Sequence, residues 1–164
     1  MSAAPLVYHL TDEAREDLRQ AIAAPLRRYN DSQAGPSGYR ALVISLTRGG
    51  EALGGLWGYT SYGWLYVQLL AVEEAARGQG AGRELLLRAE AEALVRGCHG
   101  AWLDTHEFQA RGFYERLGYE VFGELADYPP GFARYFLRKA LGRSADRPIS
   151  EGPCALSCFK RWVW

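Results

Sequence analysis

The chain has 164 residues, a length that fits a single domain, and its hydrophobic content of 48% is enough for a substantial core. Its 19 basic and 19 acidic residues cancel, so the net charge favours neither nucleic acid nor an anionic membrane as a partner. No apolar run is long enough to span a bilayer. The start of the chain lacks the charged and apolar regions of a signal peptide, and the three cysteines are odd in number. We therefore expect a cytoplasmic, reduced protein.

The N-terminal part of the chain predicts a strand, a helix and a loop. An apolar run over residues 6–10 indicates a short strand. Thr11 is expected to cap the helix that follows, and Pro25 is expected to break or kink it. The apolar stripe of this helix is formed by Leu18, Ile22 and Leu26. Residues 30–38 contain glycine, proline and polar residues and indicate a loop.

Three antiparallel strands are predicted next, over residues 40–47, 52–60 and 64–72. Short turns at residues 48–51 and 61–63 join them as consecutive hairpins.

The second half of the chain predicts a crossover. Apolar residues at helical spacing follow residue 83, and a strand over residues 101–104 follows that helix. This strand–helix–strand unit implies one parallel pair with a right-handed connection. A short helix over residues 108–117 and a final hairpin of strands 119–124 and 134–141 complete the pattern.

These elements predict a mixed α/β (α+β) fold, in which helices flank a mostly antiparallel central sheet with one parallel crossover. Residues 1–141 form the single predicted domain. Residues 142–164 begin as a polar stretch without periodicity and end with Trp162 and Trp164. We expect them to be a tail without functional consequence.

The turn between the third strand and the crossover helix, residues 77–83, is rich in glycine. Glycine lets the main chain approach a bulky phosphate, and the N–H groups of a helix start have no partner within the helix. An arginine at each end adds positive charge. A Walker A loop would need Lys followed by Ser or Thr after the last glycine, and Gly82 is followed by Arg83 and Glu84. The glycine spacing and the mid-chain position disfavour a Rossmann loop, although Asp104 lies near the distance expected of its acidic residue.

Residues 70–122 resemble the GNAT superfamily of N-acetyltransferases. Arg77-Gly78-Gln79-Gly80-Ala81-Gly82 resembles the acetyl-CoA loop of that family, R/Q-x-x-G-x-G/A. The segment 110–119 resembles its later motif, A-x-x-F-Y-x-x-x-G-F/Y. The predicted order of elements fits the family as far as Leu141. One departure is Glu107, which stands where many members have an asparagine.

The resemblance implies direct transfer of acetyl from acetyl-CoA to an amine, without a metal. The residues that it assigns to the coenzyme are Leu70, Ala71, Val72, Arg77, Gly78, Gln79, Gly80, Ala81, Gly82, Arg83 and Phe113. The N–H of Leu70 would polarise the thioester carbonyl, and Tyr114 would give a proton to the leaving thiolate. The base for the amine stays open between Asp104, His106, Glu107 and a chain of water molecules.

The acceptor is less well indicated. Five aromatic residues lie on two adjacent predicted strands and their connecting turn: Trp57, Tyr59, Tyr62, Trp64 and Tyr66. They fit either core packing or a surface for a cationic amine, and the turn at Tyr62 lies where such enzymes admit the acceptor. We expect a small-molecule amine rather than a protein. Two alternatives stay open: an inert acyl-CoA-binding sensor or scaffold, and a homodimer, because dimers are common in the family.

Overall fold

The computed structural model describes residues 4–142, so the expected tail lies outside the described residues except for Gly142. The elements are α1 (Glu16–Ala34), β1 (Arg40–Arg48), β2 (Glu51–Ser61), β3 (Trp64–Val72), α2 (Ala81–Val95), β4 (Gly100–His106), α3 (Arg111–Arg116), β5 (Glu120–Leu125) and β6 (Arg134–Ala140). A short 3₁₀ turn, Glu74–Ala76, precedes α2. None of the helices in this part of the chain is both long and apolar enough to cross a membrane.

The strands form one sheet in the order β1-β2-β3-β4-β6-β5. Only β3 and β4 are parallel, and α2 connects them, so the predicted mixed sheet with one crossover is confirmed. These two strands pair over a short stretch, from Trp64 with Gly100 to Val67 with Leu103. Beyond these pairs they are no longer hydrogen-bonded to each other, and a cleft opens between them.

A β-bulge lies where the cleft begins. In the pairing of β2 with β3, Trp57 lies opposite Leu69 and Gly58 lies opposite Val67, so Gln68 is an extra residue. A bulge bends its strand and increases the local twist. The backbones approach closely here, because a Cβ on Gly58 would lie 2.2 Å from the carbonyl oxygen of Tyr66. Glycine is therefore required at this position.

The core lies between α2 and one face of the sheet. Its largest fully buried side chains are Leu65, Leu86, Leu103 and Leu137. Each such burial contributes about 1.5–3 kcal/mol relative to exposure. A buried polar contact adds to this packing, because Glu90 of α2 accepts hydrogen bonds from the Tyr119 hydroxyl at 3.0 Å and from Lys139 Nζ at 2.6 Å. Burial, together with the charge of Glu90, raises the pKa of Tyr119. The helix α2 lies nearest to β1, β2 and β3, and the contacts of Glu90 tie it to Lys139 of β6 and to Tyr119 just before β5.

The predicted strand over residues 6–10 is wrong. The structure has no secondary structure there, and the side chains are exposed. An apolar run forms a strand only if an edge of a sheet pairs with it, and these residues make no backbone hydrogen bond within the described part of the chain. The predicted helix start is also wrong, because Thr11 Oγ1 accepts from the N–H of Glu13 at 3.0 Å and closes a local turn. The helix begins at Glu16.

Of the break or kink predicted at Pro25, the break is wrong, because α1 continues through this residue to Ala34. The loop therefore begins at Gly35 rather than at residue 30. The helix α1 buries none of its residues, and Ile22 of the predicted apolar stripe is 74% exposed. The other helix that differs is α3, which begins at Arg111 rather than at residue 108.

Replacing Gly58 by alanine tests the close approach at the bulge. We expect Gly58→Ala to lower the free energy of unfolding by about 2–3 kcal/mol, because the new methyl group meets backbone that cannot rotate away. Urea unfolding measures this change. Gly123→Ala on β5 is the matched control, because the nearest atoms to its Cβ are 3.7 Å away on the Phe136 side chain. Equal unfolding midpoints for the two variants would contradict the prediction.

Candidate active site

The cleft between β3 and β4 holds a cavity of about 1030 Å³. One wall is the second half of β3, from Val67 to Val72, and the loop before α2 continues that wall. The opposite wall is formed by Asp104 and Thr105 of β4 and by residues between 108 and 116. The free edge of β3 lines the cleft because β4 no longer pairs with it.

The glycine-rich loop closes one end of this cleft. Gly80 is the N-cap of α2 and has a φ of 79°, in the left-handed region that glycine adopts without strain. The first bond of this turn runs from the N–H of Glu84 to the carbonyl of Gly80. The N–H groups of Ala81, Gly82 and Arg83 therefore have no partner within the helix. They lie at the positive end of its dipole, which is an arrangement that binds anions.

Two side chains of the loop, Arg77 and Gln79, form hydrogen bonds within the protein, whereas Arg83 forms no ion pair among the described residues and lines the cavity. Arg77 donates from Nε to the carbonyl of Val72 at 2.9 Å, so part of its role is to hold the loop. Gln79 turns away from the cleft: its side chain donates to Ala75 and accepts from Arg48. Arg83 lines the cavity and makes no ion pair within residues 4–142.

Tyr114 lines the cleft near its other end. Its ring is buried and makes edge contacts with Phe113 at 5.1 Å and with Tyr119 at 6.1 Å between ring centroids. Burial, with a smaller effect from the charge of Asp104, raises the pKa of Tyr114. The hydroxyl is therefore protonated at neutral pH and can donate a hydrogen bond or a proton into the cleft.

Asp104 lies on the wall opposite β3. Its carboxylate accepts from the Tyr66 hydroxyl at 3.1 Å and from Arg134 Nε at 2.7 Å. Burial and the negative charge of Asp104 raise the pKa of Tyr66 to about 12. Nothing in the local sequence around Arg134 indicates its contact with Asp104. It arises because β6 lies beside β4 in the sheet, and knowledge of that strand order would have been needed to find it.

Comparisons with known proteins identify the family of this chain. The acetyltransferase (GNAT) family profile matches residues 5–119. The chain belongs to this family. It is 44% identical to an acetyltransferase of Agrobacterium fabrum over 133 residues, which cover 80% of this chain and 97% of that protein. It is 40% identical to blasticidin-S acetyltransferase of Streptomyces morookaense, over 86% of this chain and all of that protein.

A solved structure shows the same fold. The crystal structure of an acetyltransferase from Agrobacterium tumefaciens superimposes with a TM-score of 0.78 at 42% identity, over 82% of this chain and 99% of that one. The predicted family is confirmed, and the chain is an acyl-CoA-dependent N-acetyltransferase. Of the two functions that the sequence leaves open, the enzyme is therefore supported over an inert binding module.

The acetyltransferase brings only one of the three candidate bases into the cleft. Asp104 lines it, whereas His106 turns towards the loop between β5 and β6, where its Nδ1 lies 3.3 Å from the carbonyl of Tyr128. Glu107 also turns to that loop and accepts from the N–H of Ala133 at 3.0 Å. Each of the three therefore has a different environment, although they lie within four consecutive positions of the sequence.

Three of the five aromatic residues of this run, Tyr59, Trp64 and Tyr66, pack against other rings. Tyr66 stacks on Trp102 at 4.0 Å, and Tyr59 makes an edge contact with Tyr66 at 5.4 Å. Trp64 is the first residue of β3 and lies against His99. It is about 20 Å along the strand from Leu70. Neither Trp64 nor Tyr62 lines the cleft.

Several residues of the cleft have no local signal in the sequence: Thr105, Phe108, Gln109 and Arg116. Gln109 is held by Thr105 Oγ1 and by the N–H of His106, at 3.1 and 2.9 Å. Among residues 4–142, no group of three or more His, Cys, Asp or Glu side chains is placed to hold a metal ion. The expectation that the reaction needs no metal stays a prediction.

Proposed function

We propose that this enzyme transfers acetyl from acetyl-CoA to the primary amine of a small molecule. The observation that carries the proposal is the cleft itself, which has an anion-binding loop at one end and Tyr114 and Asp104 at the other. The relative from Streptomyces morookaense, which is named for its action on blasticidin S, supports a small-molecule acceptor.

The loop fits the pyrophosphate of the coenzyme. The N–H groups at the start of α2 and the guanidinium of Arg83 would neutralise its charge. The amide-bearing pantetheine arm would lie along β3, whose edge beyond Val67 has no strand beside it. Such an edge offers backbone N–H and C=O groups, as when a peptide adds to a sheet. The N–H of Leu70 would polarise the thioester carbonyl at the end of that arm.

The amine nitrogen would attack the carbonyl carbon of the thioester, so that a C–N bond forms and the C–S bond breaks. The leaving thiolate takes the proton of the Tyr114 hydroxyl, which the buried ring holds at the cleft. Asp104 is the candidate to accept the proton that the amine loses, because it is the carboxylate in the wall of the cleft. His106 and Glu107 are disfavoured as bases because their side chains contact the β5–β6 loop.

We also propose that two copies of the enzyme pair through their N-terminal segments. Residues 4–10 are mostly apolar and make no backbone hydrogen bond within the described residues. The outer edge of β1 is unpaired in the sheet, and the apolar side chains of α1 are exposed. The unpaired segment of one copy would add to the free β1 edge of the other, and a second copy supplies both reciprocally. A cytoplasmic location remains a prediction.

Arg83→Ala tests the coenzyme site. We expect the KM for acetyl-CoA to rise about 10-fold or more, because a charge-assisted contact to the pyrophosphate is lost. The KM for the amine and the melting temperature should not change. Arg138→Ala, which removes an exposed arginine of β6 that pairs with Glu120 of β5, is the control with the same charge change. An unchanged KM for acetyl-CoA in Arg83→Ala would contradict the assignment.

Tyr114→Phe tests the proton donor. We expect kcat to fall about 100-fold, because the thiolate then leaves without a proton, while the KM for acetyl-CoA stays the same. Because burial raises the pKa of Tyr114, kcat of the unmodified enzyme should hold until a pH above that at which an exposed tyrosine ionises. Tyr119→Phe is the control, since its equally buried hydroxyl bonds to Glu90 instead of facing the cleft. Equal kcat values for the two variants would remove Tyr114 from the mechanism.

Ile22→Glu tests the pairing of two copies. Sedimentation velocity should show a dimer for the unmodified enzyme and a monomer for this variant, because the charge enters the apolar surface of α1. Ala21→Glu places the same charge at an adjacent exposed position off the apolar stripe and should remain dimeric. A monomeric unmodified enzyme at all concentrations would overturn the proposal.

A further inference from the structure

Four aromatic rings gather beyond the end of β4 and form what we call the ring cluster: His106, Phe108, Tyr128 and Phe132. His106 stacks on Phe108 with 5.1 Å between ring centroids and lies 5.9 Å from Tyr128. Phe132 meets Phe108 edge-on at 5.1 Å. Two of the rings come from the end of β4 and the chain after it, and two come from the loop between β5 and β6.

The ring cluster is a surface rather than a piece of the core. Phe108 is 57% exposed, Tyr128 47% and Phe132 45%. Phe108 also lines the cleft, together with Asp104, so the cluster adjoins the reaction site. The aromatic residues of β2 and β3 differ in this respect, because Tyr59 and Tyr66 pack against other rings.

Backbone contacts hold the ring cluster in place. The N–H of Tyr128 donates to the carbonyl of Phe132 at 2.7 Å, which closes the β5–β6 loop on itself. Glu107 joins this loop to the end of β4, because its N–H donates to the carbonyl of Ala133 and its Oε2 accepts from the N–H of Ala133. A surface that is ordered before its ligand arrives loses little conformational entropy on binding.

The charges around the ring cluster favour a cation. The guanidinium of Arg134 lies 5.4 Å over the ring of Tyr128, but Asp104 compensates its charge. Glu107, which lies between His106 and Phe108 in the chain, makes no ion pair within the described residues, and its carboxylate accepts from the N–H of Ala133 next to Phe132. In neutral solution, an acceptor amine is present as an ammonium ion, which loses its proton only for the reaction. Both carboxylates and aromatic faces attract an ammonium group.

We infer that the acceptor is an amine that carries a planar aromatic or heteroaromatic group. The planar group stacks on the ring cluster, and the amine extends past Phe108 to Asp104 in the cleft. This inference rests on the proposed acetyl transfer to a small-molecule amine and adds the chemical class of that amine. Aliphatic and sugar amines lack the flat face that an exposed ring cluster stacks against.

Two amines that differ only in ring planarity test this inference. 2-Phenylethylamine and 2-cyclohexylethylamine present the same aminoethyl chain on a flat or a puckered ring of six carbons. Release of CoA thiol from acetyl-CoA gives kcat/KM for each amine. We expect the value for the flat ring to be about 3- to 10-fold higher, the range expected of aromatic contacts beyond their buried area.

Phe132→Leu removes a ring of the cluster but keeps an apolar side chain, and we expect it to abolish this preference without changing the KM for acetyl-CoA. Tyr128→Leu is a second variant with the same expected result, so that a misfolded loop in one of them does not decide the outcome. Phe122→Leu is the control, because this exposed phenyl group lies on β5 near Phe136 and does not line the cleft. It should keep the preference.

Turnover with equal kcat/KM for the two amines would overturn the inference and leave the proposed function intact. A preference that survives in both Phe132→Leu and Tyr128→Leu would overturn it as well. Failure to release CoA with either of these amines and with a broad panel of other primary amines would contradict the proposed function, and the inference would fall with it.

Discussion

The cleft of this protein depends on the point at which two parallel strands stop pairing. The strands β3 and β4 are hydrogen-bonded only as far as Val67 and Leu103. The bulge at Gln68 follows at once, and Gly58 on the neighbouring strand leaves the space that the bulge needs. The edge of β3 beyond this point is left unpaired, and an unpaired edge inside a folded domain is a binding surface for an extended, amide-bearing molecule.

The packing of α2 gives this cleft its charged end. Fully buried leucines hold the helix against the sheet, and its N-terminus then lies where β3 ends. The same connection that makes the parallel pair therefore also presents the N–H groups of the glycine-rich loop to the cleft. The opposite wall contributes the side chains proposed to react: Asp104, which lies beside Arg134 and Tyr66, and Tyr114, which is buried within α3.

The sequence predicted the elements from residue 40 to residue 140 well, because each of them carries its own period of apolar residues and is bounded by turns. It failed at residues 6–10 and at Thr11, where the local pattern was sound but the partner was missing. A strand forms only where a sheet edge is free to pair with it, and a capping residue caps only where a helix begins just after it. Both conditions depend on the rest of the folded chain rather than on the local sequence. Pro25 shows the reverse, since a helix can lose one hydrogen bond and continue.

The sequence by itself determined that a glycine-rich loop precedes a helix and that the later motif contains a tyrosine, because both are encoded in short contiguous segments. Only the tertiary structure decided that Asp104 lines the cleft while His106 and Glu107 contact the β5–β6 loop, and that Gln79 of the glycine-rich loop turns away from the cleft. It also decided that the exposed rings near the cleft come from the end of β4, the chain after it and the β5–β6 loop rather than from Tyr62 and Trp64. The physical reason is that the period of a strand determines which face a side chain takes, whereas its partners depend on strand order and register between segments far apart in the chain.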